Sequence, residues 1–184
     1  VVPERVAKSV SHETTFPVDI ADKEVLRAWT LDLAEQVAWR LRRHQLRGRT
    51  VQLKVRFSDF ETITRVVTLP APTDVTQEIC QAADDLFTRR VPTNHRPVRL
   101  LGVGVSGFEH GRTEHQQSLF DESDRNTQLE LDRATDQIRE KFGAAALGRA
   151  GKLLHAKGTP NPPGGPPLDE EAKNGDDPNR LRSQ

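Results

Sequence analysis

The chain of 184 residues contains a single cysteine, Cys80, and no apolar run that approaches the roughly 20 residues of a membrane-spanning helix. One cysteine cannot form an internal disulfide, which favours a reducing compartment and a cytoplasmic protein. The lack of a long apolar run excludes a transmembrane helix. Lysine and arginine together number 27, as do aspartate and glutamate, so no net basic charge indicates nucleic-acid binding by itself. Any DNA contact must depend on where individual basic side chains lie.

Hydrophobic residues are also few. They make up 34% of the chain, and the mean hydropathy is -0.67, so we expect part of the chain not to pack into a core. Residues 157–184 are rich in proline, glycine and asparagine, which predicts a disordered tail. The first residues show neither an initiator methionine nor a signal-peptide pattern. We therefore expect the chain to be a piece of a larger protein.

The first part of the chain predicts a strand followed by a long helix. Residues 8–18 are rich in valine, threonine and phenylalanine, which is typical of a strand. Asp22 is a suitable N-cap for a helix that continues to Leu46, and Gly48 is expected to end it in a left-handed conformation. The apolar stripe of this helix consists of Leu26, Trp29, Leu33, Val37 and Leu41.

The next part predicts a hairpin, a second helix and a last strand. Residues 51–57 alternate between apolar and polar, and residues 62–69 return as a partner strand that Pro70 is expected to end. Residues 74–77 resemble a capping box at the start of a helix. Val98–Val105 is the last strand. The prediction is an α+β fold, a four-stranded antiparallel sheet with two helices on one face, in the order strand-helix-strand-strand-helix-strand over residues 1–108.

Beyond residue 108 the composition becomes polar. Residues 109–126 are predicted to be a linker, and residues 127–156 a short helical segment that precedes the tail. Thr127 and Glu130 make a capping box for its helix, which Gly143 ends. The helix is amphipathic and should therefore dock on something. Its apolar face consists of Leu131, Thr135, Ile138 and Phe142.

A short peptide in the linker, residues 116–120, is the most distinctive motif. A Leu-Phe pair, Leu119 and Phe120, stands in otherwise polar surroundings and follows Gln116, Gln117 and Ser118. Such a peptide can bury its two apolar side chains in a small pocket while the Gln116 amide fixes the register by hydrogen bonds. The alternative is a surface turn with one hydrophobic pair. The pentapeptide resembles the motif by which bacterial polymerases and repair proteins bind the sliding clamp, with Gln117 where leucine is usual.

Three further blocks resemble one family. The segments KSVSHETTFPVDI at 8–20, RGRTVQLKVRFSDFETITRVVTL at 47–69 and RPVRLLGVGVSGF at 96–108 are similar, in order and spacing, to the little finger domain of the Y-family DNA polymerases, in the DNA polymerase IV group. The resemblance covers residues 3–142. It implies a domain that grips the template-primer duplex and a tail that binds the sliding clamp, the β subunit of the replicative polymerase.

The uncovered face of the predicted sheet carries small, polar and basic residues, which suit phosphate contacts that do not read sequence. The alternative is an ordinary solvated face. Arg65 is doubtful because alternation puts it on the Ile63 side, from which only a bulge would let it reach DNA. From the pattern and the resemblance together, the candidate DNA contacts are Lys8, Ser9, Ser11, His12, Thr14, Lys54, Arg56, Thr62, Thr64, Arg65 and Ser106.

No catalytic centre is predicted in this chain. The Ser-x-Asp-Glu turn of the family's palm domain is missing, so the magnesium that a parent polymerase would use has no site here. The adjacent pair Asp84 and Asp85 is expected to be solvated charge, as is the acidic run at 169–171. The histidines show no metal-ligand spacing, and Cys80 is expected in the core.

An acylphosphatase-like enzyme shares the predicted topology, but no Gly-rich phosphate loop appears in the sequence. Another function remains open. The chain could belong to a non-catalytic adaptor, such as the polymerase-like subunit of a bacterial mutagenesis complex, which would bind the clamp without making DNA. An RNA-recognition sheet with the same topology is disfavoured because the first and last strands lack outward aromatic residues that stack bases.

Overall fold

The computed structural model describes residues 8–92, 94, 96–109 and 122–143. They form four strands and three helices: β1 (Ser9–Ile20), α1 (Lys23–Arg43), β2 (Gly48–Phe57), β3 (Thr62–Thr73), α2 (Thr76–Arg90), β4 (Val98–Phe108) and α3 (Glu122–Phe142). Residues 1–137 make one unit. Residues 138–184 make another, of which only 138–143 are described.

The sheet has the strand order β1-β4-β2-β3, and every neighbouring pair is antiparallel. Helices α1 and α2 cover one face. Val51, Leu53, Val55 and Phe57 of β2 point to these helices and have no exposed surface. The predicted α+β fold, with two helices on one face of a four-stranded sheet, is therefore confirmed.

Helix α1 begins as predicted and ends differently. The Asp22 carboxylate accepts hydrogen bonds from the backbone N–H groups of Glu24 and Val25, at 2.9 and 3.2 Å. The left-handed residue after the helix is Gln45, with φ of 54°, so the prediction for Gly48 is wrong. Gly48 instead begins β2, where a Cβ atom would lie 2.5 Å from Val105 Cγ1. Only glycine lets β2 and β4 approach this closely here.

Strand β3 continues past Pro70 to Thr73, so the prediction that Pro70 ends it is wrong. An edge strand tolerates proline because one side of its backbone needs no partner in the sheet. The capping box at residues 74–77 does not form either. Val75 is the N-cap of α2 and supplies no side-chain hydrogen bond.

Helix α3 supplies the missing cap. The Asp132 carboxylate accepts a hydrogen bond from the Thr76 N–H at 2.9 Å, at the positive end of the α2 dipole. The same carboxylate pairs with Arg42 of α1 at 3.2 Å, and Asp136 pairs with Arg42 at 2.6 Å. Arg42 also donates to the Asp74 carbonyl at 2.8 Å. These bonds hold the middle of α3 against α1 and the start of α2.

Two features of α3 differ from the sequence analysis. It begins at Glu122, inside the predicted linker, five residues before the Thr127 capping box. It docks through the charged side chains of Asp132, Asp136 and Arg125 rather than through its apolar stripe, since Leu131 is 59% exposed. Gly143 ends the helix as predicted, with φ of 88° and an N–H that donates to the Arg139 carbonyl at 2.8 Å.

Candidate nucleic-acid interface

The uncovered side of the sheet, which we name the open face, is a regular grid of side chains. Residues directly opposite each other in an antiparallel pair point to the same side of the sheet. The strand register therefore gives four rows across β1, β4, β2 and β3. They are Ser9-Ser106-Thr50-Thr68, Ser11-Gly104-Gln52-Val66, Glu13-Gly102-Lys54-Thr64 and Thr15-Leu100-Arg56-Thr62.

Serine and threonine dominate this grid, and no aromatic residue belongs to it. Hydroxyl groups can donate to phosphate oxygens from several rotamers and carry no preference for a base. A face without aromatic side chains has nothing on which to stack bases. The chemistry of the face suits a nucleic-acid backbone better than exposed bases.

The middle of the open face has two positions without a side chain, Gly102 and Gly104, which we name the bare strip. Gly102 and Gly104 occupy two of the four positions that the central strand β4 presents there. A Cβ atom at Gly102 would lie 2.8 Å from the Glu13 Cβ, and one at Gly104 would lie 3.2 Å from the Ser11 Cβ. Both glycines are buried, so the absence of side chains there leaves room for Glu13 and Ser11 of the neighbouring strand.

Three charged side chains belong to the grid. Lys54 Nζ lies 3.0 Å from a carboxylate oxygen of Glu13, across the bare strip at Gly102. Arg56 Nε donates to the neutral hydroxyl of Thr62 at 2.9 Å. Sequence reasoning missed Glu13, although the alternation that selected Ser9 and Ser11 on β1 also selects residue 13.

Most of the predicted DNA contacts lie on this face: Ser9, Ser11, Lys54, Arg56, Thr62, Thr64 and Ser106. Lys8 lies just before β1 and is exposed. The open face thus unites residues from all four strands that are far apart in sequence.

His12, Thr14 and Arg65 point to the helix-covered side, so the structure separates them from the other predicted contacts. His12 and Thr14 lie opposite the core residues Val103 and Leu101. Burial lowers the pKa of His12 below its ordinary 6.5, and the nearby guanidinium of Arg40 lowers it further. The lowered pKa disfavours the positively charged form that would attract phosphate.

Arg65 serves the covered side as well. Its Nε donates to the carbonyl of Arg90, the last residue of α2, at 2.9 Å. The guanidinium therefore satisfies an orphan carbonyl at a helix C-terminus, where the dipole favours a cation. The strand has no bulge at this point, since Arg65 pairs regularly with Leu53.

The predicted clamp-binding residues 116–120 lie outside the described residues, between β4 and α3.

Of the other predictions, Cys80 is buried as expected. Asp84 pairs with Arg27 at 2.6 Å and Asp85 with Arg89 at 3.4 Å. Within residues 8–92, 94, 96–109 and 122–143, no three acidic, histidine or cysteine side chains come together in a way that could hold a metal ion. No helix of the described part is long and apolar enough to cross a membrane.

Comparison with known proteins gives one family. Residues 7–119 match the model of the impB/mucB/samB family C-terminal domain. The chain is 40% identical over 149 residues to DNA polymerase IV of Dehalococcoides mccartyi, which covers 80% of this chain and 37% of that protein. It is 38% identical to DNA polymerase IV of Moorella thermoacetica, over 81% of this chain and 36% of that protein. The chain thus spans little more than a third of the length of these curated relatives.

A solved structure described as a complex of the beta-clamp processivity factor and the little finger domain of PolIV is also similar. It is 24% identical, covers 60% of this chain and 97% of that chain, and has a TM-score of 0.45.

Proposed function

The chain belongs to the impB/mucB/samB family of C-terminal domains, and we propose that it serves a DNA polymerase IV-like enzyme by gripping duplex DNA and recruiting the sliding clamp. The DNA-binding surface in this proposal is the open face of the sheet. The clamp-binding element is the peptide 116–120. The relatives named DNA polymerase IV favour this assignment over an adaptor without polymerase activity.

The observation that carries the DNA proposal is the composition of the open face. Hydroxyl side chains, the bare strip and two basic residues share one surface four strands wide. Strands lie about 4.8 Å apart, so four of them extend over roughly 15 Å, which is comparable to the width of a DNA groove. Contacts of this kind grip any template, as a polymerase requires.

Arg56→Ala tests the DNA proposal. Arg56 is the basic residue of the face that donates to a neutral hydroxyl, that of Thr62, whereas Lys54 pairs with a carboxylate. The substitution should weaken binding equally for two duplexes of unrelated sequence. It should also flatten the slope of log K against log salt by about 0.9, the value of one phosphate contact.

Arg89→Ala is the matched control, because Arg89 lies on α2 with 78% of its side chain exposed, away from the open face. It removes the same charge and should leave the salt slope unchanged. Equal effects of the two substitutions would show that total charge, and not the open face, governs binding.

The clamp proposal depends on the peptide at 116–120. Leu119 and Phe120 would be its anchors, because complete burial of such a side chain contributes about 1.5–3 kcal/mol. Gln116 would orient the peptide at the edge of the pocket, with Gln117 and Ser118 contributing less.

The double substitution Leu119→Ala with Phe120→Ala should abolish binding to a bacterial sliding clamp in a titration. Thermal unfolding of the sheet domain and its DNA affinity should stay almost unchanged. Leu131→Ala is the control, since Leu131 is an exposed leucine on α3. A titration in which the double variant binds as well as the wild type would contradict the clamp proposal.

The chain itself would transfer no nucleotides in this proposal. The magnesium-dependent chemistry would belong to other parts of a parent enzyme in the cytoplasm. Primer extension with this chain, magnesium and nucleotides should give no product, and any extension that survives repurification would contradict the proposal.

A further inference from the structure

We propose that Glu13 is a built-in competitor of DNA, which occupies Lys54 in the free protein and so limits how tightly the open face holds phosphate. The inference rests on the proposed DNA-binding function of that face. It assigns a role in tuning affinity to an acidic residue at the centre of a surface that should otherwise attract anions.

The geometry places the carboxylate in the path of a ligand. Glu13 and Lys54 belong to the same row of the grid but to strands β1 and β2, which β4 separates. Their side chains meet at 3.0 Å because the residue between them is Gly102. A Cβ atom at that position would lie 2.8 Å from the Glu13 Cβ and 3.5 Å from its Oε2. The ion pair therefore covers the bare strip that would let a phosphate approach.

Stability does not explain this pair. The side chains of Lys54 and Glu13 remain 33% and 52% exposed, and ion pairs at such positions contribute little to folding. The ion pair should affect anion binding more than folding, because a phosphate that contacts Lys54 must displace the Glu13 carboxylate or tolerate a like charge beside it.

The two basic residues of the face therefore differ. Arg56 bonds a neutral hydroxyl and keeps its full charge available to phosphate. Lys54 is already neutralised by a carboxylate. Of the two basic residues in the four rows, Arg56 is available to phosphate in the free protein and Lys54 becomes available when Glu13 is displaced.

Glu13→Gln should therefore strengthen binding of a short mixed-sequence duplex by about fivefold, the equivalent of an exposed charge interaction near its upper limit. It should also steepen the salt slope by up to about 0.9, because one more phosphate becomes neutralised. Asp85→Asn is the matched control. Asp85 is an equally exposed carboxylate, 53% against 52%, which pairs with Arg89 on α2. Equal strengthening by both variants would overturn the proposal.

A double-mutant cycle tests whether Glu13 acts through Lys54. In a Lys54→Ala background, Glu13→Gln should strengthen DNA binding much less than it does in the wild type. An undiminished gain would mean that Glu13 repels DNA in general and does not compete for Lys54, which would overturn the inference.

Arg56→Ala, measured beside these variants, separates this inference from the function on which it rests. If Arg56→Ala weakens binding while Glu13→Gln leaves it unchanged, the competition is refuted and the DNA-binding face stands. If neither substitution changes binding, the proposed DNA-binding face itself fails.

Discussion

The two faces of the sheet are made from the same strands and follow opposite rules. On β4, Leu101, Val103 and Val105 face the helices and are at most 1% exposed, while Gly102 and Gly104 alternate with them on the open side. A side chain on the covered face gains free energy by filling space. On the open face, β4 presents glycines, because the side chains of Glu13 and Ser11 on β1 already occupy the space that a Cβ atom would need.

Charged residues show the same contrast. Arg42 and Arg65 on the covered side are committed to carboxylates and helix-end carbonyls. Arg56 on the open face bonds a single hydroxyl. An arginine whose donors are satisfied by the fold has a structural role, whereas one with donors to spare can serve a ligand. The position on the sheet, more than the residue type, separates the two roles.

The largest expected effect comes from adjacent residues of β2 that point to opposite faces. Leu53→Ala should lower the free energy of unfolding by about 2–5 kcal/mol, because it leaves a cavity between the sheet and the helices. Gln52→Ala, one position earlier on the open face, should change it by less than about 0.5 kcal/mol. Urea denaturation measures both. Similar losses for the two would mean that the open face is part of a packed interface.

A smaller loss of stability is expected where α3 contacts α1 through Arg42. Arg42→Ala should lower the free energy of unfolding by about 2–3 kcal/mol, since it leaves Asp132 and Asp136 side by side with little exposed surface. The amides of α3 should then exchange hydrogen faster than those of the sheet.

Arg40→Ala is the control for this junction, because Arg40 donates to an exposed carbonyl, that of Ser11 at 3.2 Å, and pairs with neither aspartate of α3. If the Arg42 and Arg40 variants unfold at the same urea concentration, the acidic face of α3 does not hold the helix.

The sequence was sufficient to predict the fold and most of the open face, because alternation on β2 and β3 is regular and β1 keeps the same period up to Thr15. Family resemblance also selected residues that the open face does not contain. It carried His12 and Thr14 into the DNA-contact set although alternation on β1 places them beside Val10 on the covered side. A strict use of the two-residue period would have removed both and added Glu13.

The remaining differences depend on contacts between distant parts of the chain. Asp132 caps α2 from 56 residues away, which no local capping rule for residues 74–77 can anticipate. Likewise, Pro70 lies within a strand because β3 is at the sheet edge, and the strand order is a property of the whole fold.

Gly102→Ala tests the bare strip and should lower the stability of the fold modestly. The new methyl group would meet the Glu13 Cβ at 2.8 Å, so the strand or the side chain must shift, at a cost of about 1 kcal/mol. Thr64→Ala, in the same row on the edge strand, should cost less than about 0.5 kcal/mol. A Gly102 variant as stable as the Thr64 variant would show that the strip is not needed for packing against β1.

The smallest expected effect is on the pH dependence of stability. It tests whether His12 belongs to the covered side of the sheet or to the open face. Its pKa is lowered by burial and by Arg40, so the folded state binds the proton less readily than the unfolded chain. The contribution of His12 to the free energy of unfolding should therefore stay constant above pH 6.5. It should decline as the pH falls below that value.

His12→Asn should remove this part of the acid sensitivity, while Thr14→Ala, a neighbour on the same side of β1, should retain it. DNA affinity should have the same pH dependence in the His12→Asn variant as in the wild type. If instead the wild type binds DNA more tightly in mild acid and the variant does not, the imidazole reaches phosphate. The covered side of β1 would then belong to the interface, and the contrast between the two faces would fail at that strand.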